Sequence, residues 1–412
     1  MNEKKVIVVG AGPAGCTAAI KATEAGNDVI LLEARSRDSI FGNGQTSFQA
    51  FQNLTSYGDA VEHLSRYGID VEPEYPYRGA RLIGPSGRSV EIRLRRSHGY
   101  FIRRGGEGSL DCQLMKEAER SDADIRFETT VLEAKDNGRI TYRKGKRIRS
   151  GKADLVIGAD GMGTVAGRGI TTPLSNRDVA VGIGYHFEGD HGFEPGIAEC
   201  WLGSHLCPGE YAYVLPTENE VSVVATMRPH LMRTGSRPVD YLNRFMSQPD
   251  IRDRLGGVRI SNMIMGGVPV TAGGPLGKNR ILLTGEAARL TDPLLGFGMV
   301  NAVISGASAA SCIGEEDPLL EYNSSMEGSI LPDLRSRLRI RNDILDRIDD
   351  GSLDRVVDSI ETMMRRSDPD DFFERKTRRK ALISSFPDLI NTGGIRVAVK
   401  YLMPFLYSNF SL

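Results

Sequence analysis

The chain opens on an apolar run at residues 6–9, breaks at a glycine cluster, continues through small residues to Ala25-Gly26, and returns to an apolar run over residues 28–32. Two short β-branched runs around a small-residue segment of helical length predict a strand–helix–strand unit with buried strands. Residues 81–83 and 89–92 flank Gly84-Pro85-Ser86-Gly87 and predict a hairpin, and helical spacing marks residues 110–119. Short strands with turn signals occupy about 125–157 and end in the apolar Leu155-Val156-Ile157. Residues 179–270, rich in β-branched and aromatic positions, predict a mostly antiparallel sheet with a helix near 238–246. A strand at 281–283 leads into a Gly/Ala-rich helical segment ending near Ile313, and from Leu331 onward the pattern is helical and laced with charge.

Composition narrows the class. At 412 residues the chain is too long for one small core, and two or three packed units are expected. Its 52 Lys and Arg nearly balance its 53 Asp and Glu, which argues against nucleic acid as a partner of the whole molecule. Five cysteines are scattered without ligand spacing, so neither a metal site nor a disulfide framework is expected. The N-terminus runs straight into a strand without a secretory apolar region, and no run reaches the roughly 18 apolar residues of a membrane span. A cytoplasmic protein is expected, with peripheral contact with a membrane left open.

Gly10-Ala11-Gly12-Pro13-Ala14-Gly15 fits GxGxxG directly after a strand and at the start of a helix. Gly10 permits the tight turn, Gly12 lets backbone approach a pyrophosphate, and Gly15 allows close helix–strand packing. Pro13 and Ala14 open the helix whose N-terminus favours the anion. Glu33 closes the second strand, where a carboxylate can accept from an adenosine ribose. Arg35 just beyond it suits either a phosphorylated ribose or the solvated surface.

Two later motifs carry a resemblance. Residues 154–161 end in Gly158-Ala159-Asp160-Gly161, and Thr284-Gly285-Glu286-Ala287-Ala288 precedes Pro293-Leu294-Leu295-Gly296-Phe297-Gly298. Together with GxGxxG these resemble the flavin hydroxylase and geranylgeranyl reductase superfamily, over the chain to about Ala310. The resemblance implies FAD as cofactor. It places Asp160, Gly161, Gly285, Glu286, Pro293, Gly296 and Gly298 at that cofactor, with Glu286 in the position where aspartate usually meets the ribityl chain. Arg103-Arg104 before Leu110-Asp111 resembles an arginine that contacts the cofactor, and Arg104 is taken as that residue.

Tyr211, Tyr213 and Pro216 in Glu210-Tyr211-Ala212-Tyr213-Val214-Leu215-Pro216 resemble the reductases' aromatic segment lining a lipid cavity. Aromatic faces suit a prenyl chain. The resemblance to the geranylgeranyl reductase family then implies an FAD-dependent oxidoreductase that reduces isolated double bonds of a prenylated lipid, with NADPH or ferredoxin as electron donor. It departs from the family at residues 40–45, where many relatives carry a cysteine and this chain has none. Cys200 and Cys207 read as packing residues, and His98, His186 and His205 as structural ones. An FAD monooxygenase acting on an aromatic or polyketide-like substrate is the alternative, and a non-catalytic flavin carrier a third reading.

The expected architecture is α/β: a discontinuous Rossmann-type FAD-binding domain (1–76, 99–178, 272–330), an inserted, mostly antiparallel β-rich substrate domain (77–98, 179–271), and a C-terminal helical region (331–412). The apolar run at 397–410 is expected to pack on the main body, with a membrane interface as its other use.

Overall fold

A computed structural model describes residues 3–41, 47–52, 59–97 and 99–365. The glycine-rich turn sits at the heart of a six-stranded sheet. Its strands run in the order Gly277–Lys278, Ile281–Leu283, Leu155–Gly158, Lys5–Val9, Asp28–Leu32 and Asp124–Arg126. All neighbours are parallel except the short hairpin made by the first two. Burial on both faces explains why these strands read as unbroken apolar runs; Val6, Val8, Leu31, Val156, Ile157 and Leu282 are fully enclosed.

The β-rich stretch forms a seven-stranded sheet in the order Gly257–Pro269, Val179–Asp190, Glu220–Met227, Ala212–Pro216, Ile197–Trp201, Gly79–Ile83 and Ser89–Arg93. The pairing is antiparallel throughout except where Ile197–Trp201 meets Gly79–Ile83. Alternation gives this sheet two apolar faces. Ala212, Val214, Val223 and Ala225 pack under the helix Pro238–Met246 through Tyr241 and Phe245. Tyr213 and Leu215 point the other way, into a cluster with Phe48, Tyr77 and Phe101. Phe48 and Phe101 come from a small sheet of Ser47–Gln52, Gly99–Arg104 and Tyr75–Pro76, so that sheet lies against the second face.

The C-terminal region folds into the helix Leu331–Ile340, a π-turn over Arg341–Leu345, and the helix Asp350–Met364. It is bonded into the β-rich layer. Asp350 accepts from the Ser204 backbone and hydroxyl, each at 2.9 Å, Asp354 accepts from the Ser86 amide at 3.1 Å, and Arg88 pairs with Asp358. The apolar run at 397–410 lies outside the described residues, as do His98 and residues 42–46.

The helices Pro13–Glu24 and Met299–Ser311 cross in close contact. A Cβ on Gly306 would sit 2.3 Å from the Ala14 carbonyl oxygen, so backbone meets backbone there. Gly306→Ala therefore lowers stability by about 1–3 kcal/mol, the usual cost of overpacking, and reduces the FAD retained on purification. Urea unfolding and the visible absorption of the purified variant check this; unchanged values for both would show that the helices have room to separate.

Candidate functional site

Four motif segments end up together because they follow four neighbouring parallel strands at their carboxyl ends, where open α/β sheets bind ligands. Gly10 takes φ +91°, donates to the Leu32 carbonyl at 2.8 Å, and lies so close to Ala159 that a Cβ would be 2.6 Å from its oxygen. Gly15 is closer still, 1.8 Å from Gly10 oxygen by the same measure. Gly12, by contrast, faces open space. It is the N-cap of Pro13–Glu24 and offers no side chain to the first amides of that helix, so these remain available to an anion.

Glu33 is buried and accepts from the Ala11 amide at 2.8 Å and from the Arg35 backbone and Nε at 2.8 and 3.0 Å. Arg35 thus braces Glu33. Asp160 closes its own loop, accepting from the Thr164 hydroxyl at 2.6 Å and the Val165 and Ala166 amides at 2.7 and 3.0 Å. Its side chain is occupied, and the neighbouring Gly161, at φ +76°, is the part of the loop that meets Glu286, 3.8 Å from a Cβ placed on it.

Gly285 takes φ +57°, donates to the Ser305 hydroxyl at 3.0 Å, and a Cβ there would be 3.1 Å from Ala14 Cβ. Glu286 follows into the cleft. Burial raises its carboxyl above the usual carboxylate range, while Arg104 and the Met162 amide pull it back. Arg104 grips Asp111 with two bonds of 2.6 and 3.0 Å and also reaches Gln49 at 3.4 Å. Arg103 points away, to Glu74 and Glu220. Sequence alone did not separate the two arginines; strand alternation does.

The segment 292–298 is held from every side. Asp292 accepts from the Leu294 and Leu295 amides at 2.8 Å each, and faces Arg337 at 2.8 Å. Arg341, fully buried, donates to the Pro293 carbonyl at 2.6 Å and the Leu294 carbonyl at 3.4 Å, and pairs with Glu210. The Tyr211 hydroxyl donates to the Leu295 carbonyl at 2.5 Å. Gly296 turns at φ +72°, and Gly298 caps Met299–Ser311 without a side-chain bond, leaving a second helix N-terminus open.

Tyr211 and Tyr213 share one face, with ring centroids 6.1 Å apart. Burial raises the Tyr211 hydroxyl well above the usual phenol value, and its proton is committed to Leu295. Pro216 ends the strand, its carbonyl accepting from Gly196 at 2.9 Å. Cys200 stands opposite Tyr213; though some of its surface is open, burial pushes its thiol up to about 12. Cys207 is buried and bonded to the Trp201 carbonyl at 3.2 Å. His186 is buried, with Nδ1 2.9 Å from the Ser222 hydroxyl and Nε2 3.8 Å from Glu220. Two surface cavities, of about 550 Å³ beside Lys21 and Tyr67 and about 380 Å³ beside Arg81 and Glu194, lie away from this convergence. Among the described residues no His, Cys, Asp and Glu group has metal-site geometry.

Asp292, Arg337 and Arg341 gave no signal in the sequence. The arginines lie in a charge-laced stretch, and only the fold turns them inward.

Two helix N-termini without side-chain caps, an open glycine at the first of them and a buried acid fit a dinucleotide with an anionic bridge. The sequence matches the FAD binding domain family over residues 3–313, and the fold and site are those of an FAD-binding flavoprotein. It is 31% identical over 389 residues to the digeranylgeranylglycerophospholipid reductase of Methanosarcina acetivorans, covering 86% of this chain and 88% of that protein. A geranylgeranyl bacteriochlorophyll reductase-like structure from Thermoplasma acidophilum superposes with a TM-score of 0.75 at 23% identity, over 95% of this chain and 98% of that one. The flavin-dependent halogenase CmlS gives 0.64 at 20% identity, over 95% and 78%. These two structures share the fold. The chain belongs to the geranylgeranyl reductase family.

Two predictions test the clamps. Arg341→Met strands the buried Glu210 carboxylate and lowers the unfolding free energy by about 3–5 kcal/mol, whereas Arg341→Met with Glu210→Gln restores most of it. FAD retention stays weakened in both, because the Pro293 and Leu294 carbonyls lose their donor; denaturant titration and bound-flavin absorbance separate the two effects. Glu220 is held down to about 2 by His186 and Arg103 against its burial. A depressed carboxyl stabilises the fold above its ordinary 4.5, and the contribution is lost as pH falls from there toward about 2. The stability gap between wild type and Glu220→Gln should be constant near neutrality and close across that window.

Proposed function

We propose that the protein reduces isolated carbon–carbon double bonds in the geranylgeranyl chains of a membrane lipid. The observation that carries this reading is the identity to a digeranylgeranylglycerophospholipid reductase across nearly the full length of both chains. The aromatic face of the β-rich sheet supports it: Tyr211 and Tyr213 lie side by side there with part of their surface open, as the apolar lining for a prenyl chain requires. Tyr211 ties that surface to the 293–298 segment.

In this reading FAD, when bound, supplies hydride to one alkene carbon. The chain's own residues bind, orient and keep water out. Gly12 and the first amides of Pro13–Glu24 hold the pyrophosphate, Glu33 the adenosine ribose, and Glu286 the ribityl chain. Gly161 and Gly285 keep the neighbouring loops close. The open amides at Gly298 and the start of Met299–Ser311 favour negative charge on the flavin's pyrimidine edge. Arg104 keeps Glu286 under a positive charge. Tyr211 is a positioning residue: a phenol that gives its proton to a backbone carbonyl is a poor acid for the second alkene carbon. An unactivated alkene offers no polar handle, so geometry and dryness carry the rate. The electron donor is a nicotinamide nucleotide or a ferredoxin, and residues 1–76, 99–178 and 272–330 act as the cofactor domain.

Photoreduced protein mixed without oxygen with a digeranylgeranyl phospholipid should recover its oxidised flavin spectrum in proportion to lipid added. Recovery that requires oxygen, with oxygen inserted into an aromatic substrate, would establish the monooxygenase reading instead.

A further inference from the structure

The hairpin of Arg139–Lys144 and Arg147–Lys152 concentrates positive charge on one exposed element. It carries Arg139, Arg143, Lys144, Lys146, Arg147, Arg149 and Lys152 without one acid, although the whole chain is nearly neutral. All seven are exposed, and among the described residues none forms an ion pair. The acids at its base are engaged elsewhere: Glu133 with Lys135, Asp136 with Lys278, and Asp154 with Arg280.

Ile140 and Tyr142 anchor one side of the hairpin in the main core. The opposite side aligns Arg143 across from Ile148 and Arg139 across from Lys152. Ile148, between Arg147 and Arg149, is 66% exposed, more than Ile260, Met265 or Leu320. Edge protection accounts for cations on the outer strand 147–152. It does not account for Arg139, Arg143 and Lys144 on the inner strand, which is paired on both sides, nor for an isoleucine at the outermost position.

We propose that this hairpin docks the protein on an anionic lipid surface, with the cations over the headgroups and Ile148 entering the interface. A leaflet attracts dispersed cations without matching their geometry and accepts an apolar tip. A folded acidic partner would be expected to meet a pocket or paired donors, and the hairpin presents neither. The choice of a lipid surface rests on the proposed lipid substrate. Docking would hold the enzyme where such chains reside; no described helix is long and apolar enough to cross a membrane.

The test is co-sedimentation of the full-length, FAD-loaded protein with vesicles of mixed phosphatidylglycerol and phosphatidylcholine, or of phosphatidylcholine alone. Binding is expected only to the anionic vesicles and is lost at salt near 1 M, where the screening length falls to about 3 Å. Each cation strengthens such binding about fivefold, so R143E/K146E/R149E should weaken it by at least on the order of a hundredfold. Ile148→Ser should weaken it several-fold with the charge retained. Both variants should keep wild-type thermal unfolding and flavin content, since these side chains are exposed and form no ion pair among the described residues. Failure of the wild type to bind anionic vesicles overturns the proposal. So does full vesicle binding by the charge-reversed variant, including the case where that variant loses only its reduction by an acidic protein donor. The assay uses no turnover, so failure of the chain-reduction reading leaves its outcome separate.

Discussion

Ala14 is touched from two sides by backbone. The Gly306 Cα and the turn at Gly285 both press on it, from segments about 270 to 290 residues away in sequence, and Gly15 beside it rests on Gly10. Side chains at these points would push the helices Pro13–Glu24 and Met299–Ser311 apart. Because they are absent, the two helices pack in direct contact, and each presents an N-terminus without a side-chain cap. Helix ends of this kind carry a fixed positive potential, which suits the anionic bridge of a dinucleotide.

The second helix end faces a segment that cannot move independently. Three consecutive carbonyls, at Pro293, Leu294 and Leu295, are held by Arg341 and Tyr211, while Asp292 holds two of its amides. Arg341 comes from the C-terminal region and Tyr211 from the β-rich sheet, so both converge on the 292–298 segment. Buried ion pairs such as Arg341–Glu210 and Arg337–Asp292 contribute more to fixing geometry than to stability, because desolvation offsets much of their attraction. That suits a reaction in which the substrate offers little to grip.

The cofactor half of the molecule was legible because its signals are local. A strand, three spaced glycines, a helix and an acid lie within one short stretch, and the later motifs announce themselves by glycine at sharp turns. The hairpin at 79–93 and the helix at 238–246 were equally plain from turn residues and periodicity. What the sequence hid was relational. Asp160 fits the motif yet spends its carboxylate on its own loop, Arg103 and Arg104 separate only through strand alternation, and Arg337 and Arg341 are indistinguishable from surface charges until the C-terminal helices are docked. The orientation of Tyr213 likewise depends on which face of a seven-stranded sheet is closed by the helix Pro238–Met246. The exposure of the cationic hairpin, and its lack of ion-pair partners among the described residues, follow only from the fold.

In the proposed function, reduced flavin at this site delivers hydride to a prenyl double bond. Mass spectrometry of a digeranylgeranyl phospholipid, before and after anaerobic incubation with the reduced protein, tests it most directly. The lipid is expected to gain hydrogen in pairs, matched by flavin oxidised. A lipid of unchanged mass, recovered with protein that is fully loaded with FAD and fully reduced, would contradict it.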